Sequence, residues 1–328
     1  MEYYHYLCIA RTHQASQRCL NRWVVFFIYP METFQKQYHT PSELVRLLQQ
    51  RGLDVSELVK AEDYIRHIGY YRLSAYFYPF LENPKNEHRF KPGASFEKVM
   101  QLYRFDRKLR LLLFNEIEKI EIAIRQAIVN TVCEATHDPF WITNPVYFAK
   151  QERFTYMMGL INKEYEKSNE DFIKHFKVKY KNDYPPAWEL IEILPFGVVT
   201  RIYENLRDFK IQKKIARDFY LNAPVLQSWL TLITLTRNAC CHHSRVWNKM
   251  NTITTLSMKR MQRNWLLEQP NQQKVYYNLC LIKYFIDVIN PANNLKQKLT
   301  CLLHQYPTVD IKAMGFTVGW EYEPLWKE

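Results

Sequence analysis

Ser95–Ala135 reads SFEKVMQLYRFDRKLRLLLFNEIEKIEIAIRQAIVNTVCEA, about forty residues without a glycine or a proline. Apolar residues keep helical spacing throughout, which predicts one long helix or two meeting at a kink. Toward the N-terminus, TPSELVRLLQQRG offers Thr40 as a cap and Pro41 at the first helical position. It also has Glu43 in the first turn and Gly52 just past the end. DVSELVKAEDYIRHIG repeats that arrangement and stops at Gly69, and the aromatic run YYRLSAYFYPF is ended by Pro79. Toward the C-terminus, a polar stretch near His137–Pro145 precedes helical patterns near 150–168 and 170–180. Pro185 and Pro186 then introduce AWELIEILPFGVVTRIYENL, and further helices are expected over 208–220, 224–246, 272–289 and 293–304. The final MGFTVGWEYEPLW reads as an aromatic tail packed on the body.

No internal repeat, low-complexity tract or linker interrupts this pattern, and no segment alternates as a half-buried strand would. The expectation is an all-α protein with a single domain over residues 31–328. Residues 1–30 break the pattern and read as an N-terminal extension or a mis-assigned start before Met31. Their VVFFIY run is too short to span a bilayer. Arg18 and Arg22 before it give a faint signal-peptide look, but no small-residue cleavage site follows.

Composition narrows the function classes. Seven glycines in 328 residues is well under ordinary usage and leans toward helices. Neither G-x-G-x-x-G nor G-x-x-x-x-G-K-[ST] occurs, so nucleotide-fold fingerprints are missing. The formal charge of +12 points to a polyanionic partner, most often nucleic acid. The seven cysteines (Cys8, Cys19, Cys133, Cys240, Cys241, Cys280, Cys301) are odd in number and form no C-x-x-C. A reduced, cytoplasmic protein is therefore expected, with no membrane span and no cofactor.

Chemistry concentrates at Arg237–Asn248, RNACCHHSRVWN. Four consecutive Cys and His residues on a helix fan out in steps of about 100° and cannot converge on one tetrahedral ion, so no metal site is expected. Upstream, Leu226, Trp229, Leu230 and Ile233 form one buried stripe, and its register puts Arg237 in the middle, flanked by Cys240 and Cys241. An arginine there needs a carboxylate, a phosphate or a wet cleft. Asn238 and His242 share a face, whereas His242 lies about 140° round an ideal helix from Arg237. Two readings stay open on spacing alone: a polar site beside an inward arginine, or a capped core helix with a satisfied arginine and a surface histidine.

The motif resembles the signature of the Abi-like (AbiD/AbiF) abortive-infection family, within the HEPN ribonuclease superfamily and its R-x-x-x-x-H motif. Similar family blocks occur at 51–80 (RGLDVSELVKAEDYIRHIGYYRLSAYFYPF), 103–125 (YRFDRKLRLLLFNEIEKIEIAIR), 188–197 (WELIEILPFG) and 314–320 (MGFTVGW). The resemblance covers about residues 38–328. It implies a HEPN-type helical bundle with additional helices, and a metal-independent endoribonuclease in phage defence or a toxin. Arg237, Asn238 and His242 would be the catalytic set. The 2′-OH of RNA would attack its own phosphorus, with His242 as acid or base and Arg237 holding the phosphate. The resemblance also implies a homodimer completing the site, and control by an antitoxin, a structured noncoding RNA among the options. His243 and Arg245 match the family block without an assigned role. The rival reading is a non-cleaving RNA-binding effector or scaffold.

Three further features bear on the site. Glu121 and Arg125 form an i, i+4 pair beside Glu118, either a surface salt bridge or a carboxylate buried against Arg237. Lys174, Lys177, Lys179, Lys213, Lys214, Lys259, Arg260 and Arg263 lie in the basic clusters suited to tracking RNA phosphates. The aromatics of Tyr70–Phe80, interleaved with Arg72, are core or a platform for unpaired bases.

Overall fold

The computed structural model describes residues 33, 35 and 37–327. The expected extension over 1–30, with Cys8 and Cys19, lies outside them. Twelve α-helices and several short 3-10 turns make up the described residues, which contain three isolated β-bridges and no strand. The all-α expectation holds.

The chain divides into two compact units, the first ending at Gln101 and the second beginning at Leu102. In the first unit, α1 (Pro41–Gln50) opens with a complete capping box. Thr40 accepts from the Glu43 backbone N–H, and Glu43 accepts from the Thr40 N–H. Helix α2 (Leu58–Ile68) stops at Gly69 as its sequence indicates, but its start differs from expectation. Glu57 is its N-cap and makes no side-chain cap bond. Asp54 upstream instead pairs with Ser95 through the backbone. Helix α3 (Tyr70–Phe77) buries Leu73, Tyr76 and Phe77, while Tyr71 and Tyr78 stay exposed. Phe77 packs edge-on to Phe90, with ring centroids 5.9 Å apart. The aromatic run is therefore divided, with Tyr76 and Phe77 in the core and Tyr71 and Tyr78 exposed.

The long quoted stretch is one continuous helix, α4 (Phe96–Thr136). The boundary between the units falls inside it. Within the second unit its inward stripe runs Phe105, Leu109, Leu113, Ile117, Ile120, Ile124 and Ile128, all buried. Steps of three and four residues keep that stripe on one face. The unit continues with α5 (Gln151–Lys167), α6 (Asp171–Lys179), the short α7 (Ala187–Leu190), α8 (Phe196–Asn205) and α9 (Phe209–Asp218). Helices α10 (Ala223–Cys241), α11 (Val275–Ile289) and α12 (Leu295–Gln305) complete it. Helix α11 is buried all round from Val275 to Ile286, as suits a central helix. Helix α10 packs on α8, α9 and α11.

The aromatic tail does lie on the body. Phe316 and Trp326 stack beside Tyr276, and Trp320 meets Trp326 edge-on. Gly315 makes this possible. Its φ is +93°, and a Cβ there would sit 2.5 Å from the Lys274 Cβ. Among the described residues no helix is long and apolar enough to cross a membrane.

Candidate functional site

Helix α10 ends between the two halves of the motif. Cys241 is its last residue and His242 its C-cap, five residues short of the end expected near 246. His243 follows with φ +54°, a left-handed conformation that usually falls to glycine or asparagine. Its N–H donates to the Cys240 carbonyl at 3.1 Å, and the Ser244 N–H donates to Ala239 at 2.9 Å. These two bonds form a Schellman cap, which satisfies helix-end carbonyls and turns the chain sharply away. His242 and His243 are thus exposed on the turn, and Asn238 is half-buried one turn back.

The chain leaving this turn is held by a buried charge pair on α4. Asp106 accepts from the N–H of Trp247 at 2.6 Å and of Val246 at 3.1 Å, and pairs with Arg110 one turn along. Arg110 also reaches the Ser244 carbonyl at 3.4 Å. Both side chains are nearly inaccessible. A carboxylate buried at this depth is tolerable because every acceptor direction used meets a donor. Trp247 is a buried anchor, and Arg245 is half-buried.

Arg237 meets α4 farther along. Its Nε lies 3.4 Å from Glu121 Oε2, with 29% of the arginine side chain and 13% of the glutamate side chain exposed. The contact is an ion pair without hydrogen-bond alignment, so the buried Nε makes no hydrogen bond among the described residues. Arg125 pairs with the other oxygen of Glu121 and also donates to the Ile191 carbonyl. Glu118, its neighbour in sequence, faces solvent. A single carboxylate therefore joins Arg237 to Arg125, and Arg125 fastens the pair to the 188–197 segment. Three of the quoted blocks meet at this point.

Cys240 is buried, and desolvation pushes its thiol up to about 12, far from a nucleophile's range. Cys241 is half-buried. No group of three or more His, Cys, Asp or Glu side chains suited to a metal ion occurs among the described residues.

The basic candidates divide. Lys214 is paired with Glu134 at 2.6 Å, Lys174 with Asp171 at 3.8 Å, and Lys177 donates to the Tyr165 carbonyl at 3.1 Å over that residue's ring. Lys179, Lys213 and Arg263 lie over the rings of Tyr180, Phe209 and Tyr220. Lys259 and Arg260 are exposed.

Sequence reasoning missed Asp106 and Arg110. Their signal was present: an i, i+4 charge pair flanked by the apolar Phe105, Leu109 and Leu113. The Ile191 carbonyl had no signal, because a backbone acceptor leaves no trace in residue type.

The family model described as Abi-like protein (Abi_2) matches residues 63–248, ending on the last residue of the motif. The match spans more than half of the chain, and the protein belongs to the Abi-like family. Membership suggests abortive-infection phage defence. No match was found among curated proteins or among solved structures.

Proposed function

We propose that this protein is a metal-independent HEPN-type endoribonuclease acting in abortive infection. The observation that carries the reading is the state of Arg237. Glu121 holds its guanidinium by an ion pair at Nε, an atom that makes no hydrogen bond among the described residues, and 29% of the side chain stays exposed. A half-buried arginine held in this way is ready to grip a phosphate with two parallel donors. His242 stands exposed on the capped turn at the end of the same helix, and imidazole is the side chain suited to move protons near neutral pH.

In this mechanism His242 takes the 2′-OH proton as that oxygen attacks the adjacent phosphorus. The P–O5′ bond breaks, and the leaving oxygen receives a proton. Arg237 offsets charge growing on the non-bridging oxygens. Asn238, one turn before His242, orients the imidazole or the phosphate. The products are a 2′,3′-cyclic phosphate and a 5′-hydroxyl.

On an ideal helix Arg237 and His242 would lie about 140° apart, and an offset of that kind supports a site completed by a second copy. Leu111, Phe114 and Ile122 support the same homodimer, since they are exposed on one face of α4, the helix whose Glu121 pairs with Arg237. Lys179, Lys213, Lys259 and Arg260 are the proposed RNA-tracking residues, and a structured noncoding RNA antitoxin would use the same surface in the cytoplasm.

The test is RNA cleavage by the purified protein in excess EDTA, beside His242→Ala and Arg237→Ala. Cleavage that survives EDTA and is lost in both variants supports the proposal. RNA bound by every form and cut by none sinks it in favour of a non-cleaving RNA-binding effector.

A further inference from the structure

A second cleft, of about 690 Å³, opens in the larger unit among α11, the start of α12, residues 262–264 and residues 325–327. It shares no residue with the Arg237–His242 site. Its volume is within the ~300–1,000 Å³ typical of small-molecule sites.

The charge on its walls is unbalanced. The charge of Asp287 is balanced by Lys283, and the same carboxylate oxygen accepts from Asn293 Nδ2 at 2.7 Å. That leaves Arg263, Lys296 and Lys327, none of which has an ion-pair partner among the described residues. Lys296 adds a further strain of charge. It occupies the first turn of α12, which has no acidic residue, and the N-cap Asn294 supplies no side-chain bond. A cation against the positive end of a helix is unfavourable until an anion offsets both. Three cations facing one cavity, with the only carboxylate among its described lining residues balanced by Lys283, define a site for a phosphate group.

The rest of the wall suits a planar base. Tyr220 is 41% exposed at the rim, and the Arg263 guanidinium lies 5.1 Å from its ring centre. That guanidinium already covers part of the ring, so a base would stack on the part of Tyr220 that stays exposed, as unpaired bases do on aromatic side chains. Asn264 supplies an amide with both donor and acceptor.

We propose that this cleft binds a nucleotide, phosphate against Arg263, Lys296 and Lys327 and base against Tyr220. The nucleotide is a free mononucleotide or the 5′-phosphorylated end of an RNA strand. The inference does not depend on cleavage at Arg237 and His242.

The experiment is calorimetric titration of the full chain with AMP, UMP, inorganic phosphate, and one short RNA carrying a 5′-phosphate or a 5′-hydroxyl. Wild type is compared with Arg263→Ala/Lys296→Ala and with Tyr220→Leu, all surface changes checked for unaltered melting. RNA arms use His242→Ala as background so that the strand is not consumed. The expected result is saturable mononucleotide binding, weakened about tenfold or more by either variant. Binding of only the 5′-phosphorylated RNA, with the same sensitivity, assigns the cleft to a strand end. The proposal is overturned by the absence of both, by binding indifferent to the substitutions, or by inorganic phosphate binding as tightly as AMP.

Discussion

Glu121 places one carboxylate oxygen against Arg125 and the other 3.4 Å from Arg237 Nε, so a single side chain sets the position of the motif arginine. Glu121→Gln keeps the shape and removes the charge, leaving two cations side by side. It should lower stability by about 1–3 kcal/mol. If Arg237 serves as proposed, it should also slow cleavage by about tenfold or more. Urea midpoints and single-turnover rates check the two effects separately. An unchanged rate in a destabilised protein would reduce Glu121 to a structural role.

His243 occupies a left-handed position at the end of α10 that glycine fills without strain. His243→Gly should leave stability unchanged or raise it by up to about 1 kcal/mol, whereas β-branched His243→Val should lower it by about 1–2 kcal/mol. Thermal melts of the two variants decide this. A glycine variant that is stable but slow on RNA would give the histidine side chain a part in the reaction.

Glu116 is almost fully buried on α4 between Lys119 and Lys298. Burial by itself would raise its pKa, but hydrogen bonds from Lys119, Lys298 and Asn115 outweigh it and hold the carboxyl below its ordinary value of 4.5. A folded-state pKa lowered in this way adds stability above the unfolded value, and that stability fades as pH falls toward the folded one. Glu116→Gln should therefore be clearly weaker than wild type at neutral pH, with the gap closing below about pH 4.5. Denaturation midpoints measured across that range give the curve, and a gap that widens in acid would contradict the assignment.

Thiol chemistry should separate the cysteines by position. Burial raises Cys240 to about 12 and also raises Cys280, while Cys301 is exposed. Alkylation of the folded protein near pH 8 should label Cys301 and spare Cys240 and Cys280. Mass spectrometry of the digest reads this directly. Fast labelling of Cys240 would show that α10 opens at its end.

Where sequence carried a local stop or start, it was legible. Thr40, Pro41 and Glu43 predicted the start of α1, and Gly69 predicted the end of α2, because cap chemistry acts over three or four residues. The spacing of Ser95–Ala135, without glycine or proline, left one helix or two meeting at a kink, and α4 is a single helix. The end of α10 was not legible. No glycine announces it, and the stop depends on His243 adopting φ +54° while Asp106, remote in sequence, takes hold of the outgoing chain. The boundary at Gln101 and Leu102 was equally hidden, since it falls inside a continuous helix where no linker composition can appear. At the site, residue types named Arg237, Asn238 and His242, and the helical pair named Glu121 and Arg125. Of these the structure joins Arg237, Glu121 and Arg125, and Arg125 is fastened by the backbone carbonyl of Ile191, which any residue would have offered.

The Asp106 carboxylate has one more consequence. The amides of Val246 and Trp247 lie outside any helix, yet both are donated to a carboxylate sealed in the interior beside Arg110. Their protons can exchange with deuterated water only when that carboxylate lets go, which exposes two opposite charges at once. An irregular stretch of chain is thereby tied to α4, and its amides should exchange together with those of that helix. The histidines just before it thus stand at the surface beside a segment anchored on a buried charge pair.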